Sequence, residues 1–181
     1  MKHAIIWLFF ILFSPGLMAQ KYFTKTGLTE FKASVAAFEP VEAQNRSTSA
    51  ILNASNGQVA SLLFVKAFRF RVALMEEHFN ENYMDSDKYP KASFKGKIVG
   101  FDLRKLNNKA QPYSIQGTLT IRGISKKVSS KARIQKQGNR LIVIGSLWVK
   151  PGDFGIKIPS IVRKKIAKSI EIKTHYELVK R

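Results

Sequence analysis

The chain has 181 residues, with 31 Lys and Arg against 12 Asp and Glu, a formal net charge of +19 and no cysteine. This length suits one domain with a sizeable core, and that core must form without disulfides. The positive charge favours anionic partners such as an acidic membrane surface, although a solvated basic exterior is the simpler alternative.

The first 19 residues have the pattern of an export signal. A short basic start precedes an uninterrupted run of ten apolar residues at 4–13, and Ser14, Pro15 and Gly16 end that run. A bilayer-spanning helix needs about 20 apolar residues, so this segment is too short to be an anchor. We therefore expect a secretory signal peptide cleaved near Ala19, a mature domain at 20–181 and no nucleic-acid partner.

Alternation of apolar and polar residues at period two predicts strands along most of the mature chain. The clearest is 113–122, where Tyr113, Ile115, Leu119 and Ile121 share one face. Turn residues at 53–57, 123–126 and 137–139 separate several of these segments. The full set of predicted strands is 21–25, 28–34, 48–52, 58–72, 92–101, 113–122, 127–135, 141–149 and 170–178.

Two of these strands carry specific expectations about their faces. In 58–72 the alternation assigns Leu62, Phe64, Phe68 and Phe70 to a single face. The segment 141–149 is apolar on both faces, so its inward residues cannot be told from its outward ones.

Only two segments have a helical period. Met75, Phe79 and Tyr83 repeat at i, i+4 and i+8 and predict a helix at 74–83. Val162 and Ile166 have the same spacing and predict a second helix at 161–169, with Ser160 as its N-cap and cationic side chains on its other faces.

Many short strands with few helices indicate an all-β antiparallel barrel or sandwich. Glycines inside predicted strands, such as Gly96, Gly117 and Gly145, are typical of sheets that bend tightly. Closure also removes exposed strand edges, and the chain has only six prolines to blunt such edges. Both arguments favour the barrel over the sandwich.

An acidic stretch near 76–90 contains Glu76, Glu77, Glu81, Asp85 and Asp87 beside His78. A calcium loop requires a glycine at its bend, and residues 80–91 contain none. A zincin motif requires a second histidine one helical turn away, which is also missing. Acid–base catalysis by Glu77, His78 or Asp87 stays open, but a structural turn after a helix is the simpler interpretation.

Three blocks, in this order, resemble the YceI-like family. Ser86-Asp87-Lys88-Tyr89-Pro90, with Ser93 and Phe94 following, is similar to a family segment that has SD, then YP and then Phe. The blocks at 117–128 (GTLTIRGISKKV) and at 153–156 (DFGI) are similar to two further family patterns. The chain departs from the family just before the last block, where an Arg is common and this sequence has Lys150-Pro151-Gly152.

The resemblance implies a lipocalin-like, eight-stranded antiparallel barrel with one or two short helices. It also implies export to the periplasm and a long isoprenoid or similar amphiphilic chain held inside the barrel. We accordingly expect a non-catalytic carrier for a hydrophobic lipid such as a polyisoprenoid, without a cofactor or metal. The acidic stretch would then lie across the barrel mouth.

Burial of a hydrophobic chain contributes roughly 0.8 kcal/mol per methylene, so the expected binding site is the apolar interior. Plain core filling is the alternative role for each residue expected to line this interior. Arg163, Lys164 and Lys165 could meet a phosphate headgroup at the mouth, or form a solvated face. A module that binds anionic lipid or lipopolysaccharide through its exterior, with a filled barrel, is the alternative function. The expected lining residues are Phe64, Phe68, Phe70, Phe94, Ile98, Tyr113, Ile115, Leu119, Ile121, Leu147, Ile156 and Tyr176.

Overall fold

The computed structural model describes residues 20–35 and 38–181. The signal peptide predicted at 1–19 lies outside the described residues. Within the described ranges, no helix has both the length and the apolar character needed to cross a bilayer.

Eight long antiparallel strands form a closed barrel, as the sequence predicts. Their order around the barrel is β1-β9-β8-β7-β6-β5-β3-β2, and β1 pairs with β2 to close it. A two-residue strand, β4, pairs only with the start of β2. The strands are β1 (Lys21–Ser34), β2 (Glu42–Asn53), β3 (Gln58–Phe64), β4 (Arg69–Phe70), β5 (Lys91–Ile98), β6 (Gln111–Ile121), β7 (Ile124–Gln137), β8 (Arg140–Val149) and β9 (Ile166–Lys180).

The barrel has two different ends. At one end, here called the mouth, lie the connections 65–90 between β3 and β5, with β4 inserted, and 150–165 between β8 and β9. At the other end, called the floor, lie the connections 54–57, 99–110 and 138–139 together with Gln20 and Arg181. Helix α1 (Ala73–His78) continues as a π-helical turn, Phe79–Met84, and belongs to the mouth. This confirms the helix predicted at 74–83.

The floor half of the interior is filled by its own side chains. Leu52, Ile98, Ile134 and Leu141 are fully buried there, with Leu106 from the floor connection packed against the same group. Phe101 and Tyr113 pack against this group, with their rings tilted and 6.3 Å apart between centroids. This end of the barrel is therefore closed by ordinary core packing.

The helix predicted at 161–169 is wrong. Residues 160–165 form successive turns, with the amides of Val162, Arg163 and Lys165 each bonding a carbonyl three residues earlier, and β9 begins at Ile166. The i, i+4 spacing of apolar residues also fits a strand, since every fourth residue is on the same face at period two. Within 161–169, Ile166 pairs with Ser34 of β1. From Ile170 on, β9 pairs with β8, and from Glu171 on it also pairs with β1, which gives these residues a ladder that an isolated short helix lacks.

Two turns also differ from the prediction. The strand predicted at 58–72 ends at Phe64 and is followed by a 3-10 turn, Val65–Ala67, before β4. The hairpin between β6 and β7 uses only Arg122 and Gly123, whose φ values of 49° and 73° are those of a type I′ turn. The strands predicted at 21–25 and 28–34 are one strand, β1, with a register shift between Thr24 and Gly27.

Candidate binding cavity

A cavity of about 200 Å³ occupies the mouth half of the barrel. Side chains from the strands form its wall, and Phe79 and Met84 of the π-helical turn lie over it. Its surface is almost entirely apolar. The wall residues contributed by β6, β8 and β9 include Ile115, Leu119, Ile121, Val143, Leu147, Val149, Ile170, Ile172, Tyr176 and Leu178.

Four phenylalanines form a cluster at one side of the mouth. Phe31 of β1 lies 5.3 Å from Phe68 and 5.5 Å from Phe79 between ring centroids. Phe70 completes the group at 5.1 Å from Phe79. Contacts between rings in edge-on and tilted orientations stabilise each pair by about 0.5–1.5 kcal/mol beyond burial. Phe68, Phe70 and Phe79 all belong to the connection 65–90, and their contacts with Phe31 hold this connection against β1 at the barrel rim.

The 150–165 connection closes the opposite side of the mouth. Phe154 is 2% exposed and packs with Val65 and Met84 from the other connection. Arg122 Nη1 donates a hydrogen bond of 2.6 Å to the carbonyl of Gly155, while its guanidinium lies 5.7 Å from the Tyr89 ring centroid. The three blocks that suggested the family therefore meet at this one place, because they contribute Tyr89, Arg122 and Phe154.

Paired glycines make room for the aromatic ring that divides floor from cavity. Gly96 of β5 is opposite Gly117 of β6, and the Phe94 ring lies across both. A Cβ added at Gly117 would lie 2.6 Å from Phe94 Cζ and 2.4 Å from the Lys95 carbonyl oxygen. Neither distance is tolerated, so glycine at this pair is what allows Phe94 to lie flat against the wall.

A small group of hydroxyls interrupts the apolar wall. Tyr176 Oη lies 3.2 Å from Thr29 Oγ1, which in turn lies 2.9 Å from the buried Thr48 Oγ1. Burial raises the pKa of the Tyr176 phenol, and hydrogen bonds with Thr29 and Ser61 only partly offset this effect. These hydroxyls bond one another, so they are stable in an apolar surrounding.

Eight of the twelve predicted lining residues face the cavity: Phe68, Phe94, Ile115, Leu119, Ile121, Leu147, Ile156 and Tyr176. Ile98 and Tyr113 lie instead in the floor core. Phe70 belongs to the aromatic cluster outside the cavity wall. Phe64 is wrong as a lining residue, because it is 52% exposed on the outer face of β3.

The structure adds cavity residues that the sequence reasoning did not select. Val143 and Val149 were missed because β8 is apolar on both faces, so its sequence does not show which residues point inward. Phe31 was in a weakly predicted strand. Phe79 was recognised as part of a helical apolar stripe, and this stripe was the signal that could have placed it at the cavity.

The acidic stretch has structural roles at the mouth. Glu76 accepts hydrogen bonds from Arg69 Nη1 and from the Phe70 amide, and Asp87 pairs with Lys66. Asp85 has a left-handed backbone, with φ of 50°, where the π-helical turn ends. In residues 20–35 and 38–181 no three His, Cys, Asp or Glu side chains are grouped as metal ligands. Glu77 and His78 are exposed on α1.

The predicted headgroup residues Arg163, Lys164 and Lys165 lie in the turns at 160–165, and all three are exposed. The structure thus places them at the mouth but not within the cavity. No contact with an anionic group follows from this position alone.

Comparisons with known proteins agree with this architecture. The sequence profile of the YceI-like domain matches residues 21–178. No curated protein sequence matches the chain. Among solved structures, a polyisoprenoid-binding domain from Saccharophagus degradans superposes with a TM-score of 0.76 at 12% identity, covering 89% of this chain and 98% of the other.

Two further solved structures have the same fold. BcnA of Burkholderia cenocepacia has a TM-score of 0.69 at 19% identity, over 84% of this chain and 96% of its own. The YceI protein of Campylobacter jejuni has a TM-score of 0.62 at 18% identity, over 80% and 86%. With the profile matched along nearly the whole described barrel, the chain belongs to the YceI-like domain family.

Proposed function

We propose that this protein is a non-catalytic periplasmic carrier that holds a hydrophobic chain, such as a polyisoprenoid lipid, inside the barrel. The observation that supports it is the apolar cavity beneath the mouth. The alternative, a module that binds lipid only through its exterior, assumes a barrel filled by its own side chains. The cavity disagrees with that assumption. The solved domain from Saccharophagus degradans, described as polyisoprenoid-binding, supports the same ligand class.

The size of the cavity bears on how such a ligand enters. Its volume of about 200 Å³ is below the roughly 300–1,000 Å³ usual for small-molecule pockets. It exceeds the roughly 150 Å³ of an apolar cavity that holds benzene. A long chain therefore requires side chains to move, and the π-helical turn that carries Phe79 and Met84 over the cavity lies outside the strand ladder.

The cavity wall offers a chain little besides hydrocarbon. The hydroxyls on it belong to Thr29, Ser61, Ser93, Ser130, Thr174 and Tyr176. Tyr176 bonds Thr29 and Ser61, and Ser130 Oγ donates to backbone carbonyls. Binding is then driven by apolar burial at roughly 25 cal/mol per Å² removed from water. Such binding is insensitive to salt, because no ion pair with the protein forms inside.

Native mass spectrometry of the protein purified from its own producing cells, and again after incubation with a prenyl lipid, tests the proposal. We expect a bound lipid mass in the first sample or its appearance in the second, unchanged by 0.5 M salt (roughly 4 Å Debye length). Empty protein in both samples would overturn the proposal.

A matched pair of variants on one strand sharpens the test. Leu147→Trp adds bulk directly into the cavity, whereas Ile144→Trp adds the same ring on the outer face of β8, where Ile144 is 47% exposed. We expect the first to reduce lipid uptake by more than about tenfold and the second to leave it unchanged. Equal uptake by both would place the ligand elsewhere.

A further inference from the structure

The turns at 160–165 combine a large exposed apolar side chain with exposed cations. Ile161 is 86% exposed, the highest among the large exposed hydrophobic residues of the described ranges. Arg163, Lys164 and Lys165 follow it directly and are also exposed. We call the segment 157–168 the basic lip. It carries five Lys and Arg, and no acidic residue stands between Asp153 and Glu171.

An exposed tryptophan lies at the same end of the barrel. Trp148 is 62% exposed on the outer face of β8, one residue before that strand ends and the connection to the basic lip begins. Across the ladder Trp148 is opposite Glu171, whose carboxylate pairs with Lys173, and the basic lip precedes this point of β9. Exposed apolar side chains next to cations are characteristic of proteins resting on a membrane interface. Tryptophan in particular favours the headgroup level, where its ring is partly in apolar surroundings.

The other side of the mouth has the opposite character. The connection 65–90 carries four Lys and Arg against five Asp and Glu, and several of these charges pair with each other. An anionic surface would therefore attract one side of the mouth and not the other. The floor end is also cationic, through Lys105 and Lys109 among others, so overall charge alone gives no orientation.

We propose that the basic lip, with Ile161 and Trp148, docks on an anionic phospholipid bilayer and brings the mouth to the headgroup level. The cations meet lipid phosphates, and the two apolar side chains enter the interface between them. This inference extends the proposed carrier function by naming the surface with which the barrel exchanges its chain. Docking does not require the cavity to be occupied, so the two proposals can fail separately.

Trp148 is the only tryptophan in residues 20–181, because the second one in the chain is Trp7. Its fluorescence therefore reports directly on whether this surface meets the bilayer. The experiment mixes the protein lacking residues 1–19 with vesicles of phosphatidylcholine alone or with 30% phosphatidylglycerol (roughly the anionic fraction that gives a surface potential of tens of millivolts). Co-sedimentation and tryptophan emission are recorded in the same samples.

We expect binding only to the anionic vesicles, with a blue shift of Trp148 emission. No binding, or binding without a shift in Trp148 emission, would overturn the proposal. The double variant Lys164→Gln and Lys165→Gln should weaken binding by more than about tenfold, since each cation near such a surface contributes several-fold to affinity. The control, Lys105→Gln with Lys109→Gln, removes the same charge at the floor and should weaken binding far less.

Equal losses in the two charge variants would mean that net charge, and not the basic lip, determines binding, and would also overturn the proposal. A second pair tests the apolar part. Ile161→Ser should reduce both binding and the emission shift, whereas Val99→Ser, at an exposed residue of the floor connection, should change neither. Lipid uptake measured by native mass spectrometry on the same samples distinguishes a failure of docking from a failure of the carrier function.

Discussion

The floor and the mouth of this barrel are built from the same strands but differ in how tightly their side chains pack. At the floor, Leu52, Ile98, Ile134 and Leu141 interlock with no exposed surface. At the mouth, Leu147, Ile156 and their neighbours surround a cavity and leave part of their surface uncovered by other protein atoms. The difference indicates that the floor half is the more tightly packed part of the core, while the mouth half combines smaller buried clusters with a cavity.

The connections at each end fit this division. The floor connections are short or pack Leu106 into the core. The mouth connections are longer, carry α1 and the π-helical turn, and are held by the aromatic cluster and by Phe154. Segments that contact the barrel through a few side chains open at a lower free-energy cost than the strand ladder does. Ligand entry at the mouth is consistent with this lower cost of opening the mouth connections.

Truncating one leucine at each end is the strongest way to break this comparison. Leu52→Ala leaves a cavity in a fully packed region and should lower the free energy of unfolding by about 2–5 kcal/mol. Leu147→Ala only enlarges an existing cavity, so its cost should remain below about 2 kcal/mol. Urea denaturation of both variants measures the difference. Equal losses would mean that the mouth half is packed as tightly as the floor.

The boundary between the two halves is the next target. Gly117→Ala places a methyl group against the Lys95 carbonyl, Gly96 and the Phe94 ring, and none of these can yield without disturbing the wall. We expect a loss of about 1–3 kcal/mol in the free energy of unfolding. Gly152→Ala is the matched control, since nothing lies within 4 Å of its added methyl group, and it should change stability by less than about 0.5 kcal/mol.

The strands that could be predicted in detail are those with one polar face. In β6, Ile115, Leu119 and Ile121 alternate with polar residues, and all three face the cavity as expected. In β3 the sequence is apolar at consecutive positions, and the prediction of which side chains point inward was wrong. Leu63 is inside, while Leu62 and Phe64 are outside. The 3-10 turn after Phe64 interrupts the alternation of inward and outward side chains, and Phe68 therefore points to the interior.

The remaining errors have a common physical origin in tertiary pairing. The spacing of Val162 and Ile166 suits a helix or a strand equally. In the fold Val162 lies in the turns at 160–165, and pairing with a neighbouring strand begins only at Ile166. Likewise, the inward face of β8 is fixed by its neighbours and not by its own composition. The cavity volume could not be predicted at all, because it depends on where the mouth connections place Phe79 and Phe154 relative to the wall.

The smallest expected effect concerns the hydroxyl group at the level where the cavity meets the floor. Tyr176→Phe removes the hydrogen bonds with Thr29 and with the half-buried Ser61, but the fully buried Thr29 keeps its bond with Thr48. We expect a loss of about 1 kcal/mol in the free energy of unfolding near neutral pH. Tyr113→Phe is the control, because its hydroxyl makes only a 3.5 Å contact with Gln111, and it should be close to neutral.

The pH dependence of this pair separates the hydrogen bond from the burial of the phenol. Burial raises the pKa of Tyr176 above its ordinary value of 10.0, so the folded protein holds the proton more tightly than the unfolded chain does. The corresponding stability is fully present below pH 10.0 and is lost as pH rises through the folded-state pKa. The advantage of the parent protein over Tyr176→Phe should therefore shrink in urea titrations carried above that pH. An advantage that stayed constant would mean that the phenol ionises as easily in the barrel as in water, and that the cavity wall at Tyr176 is wet.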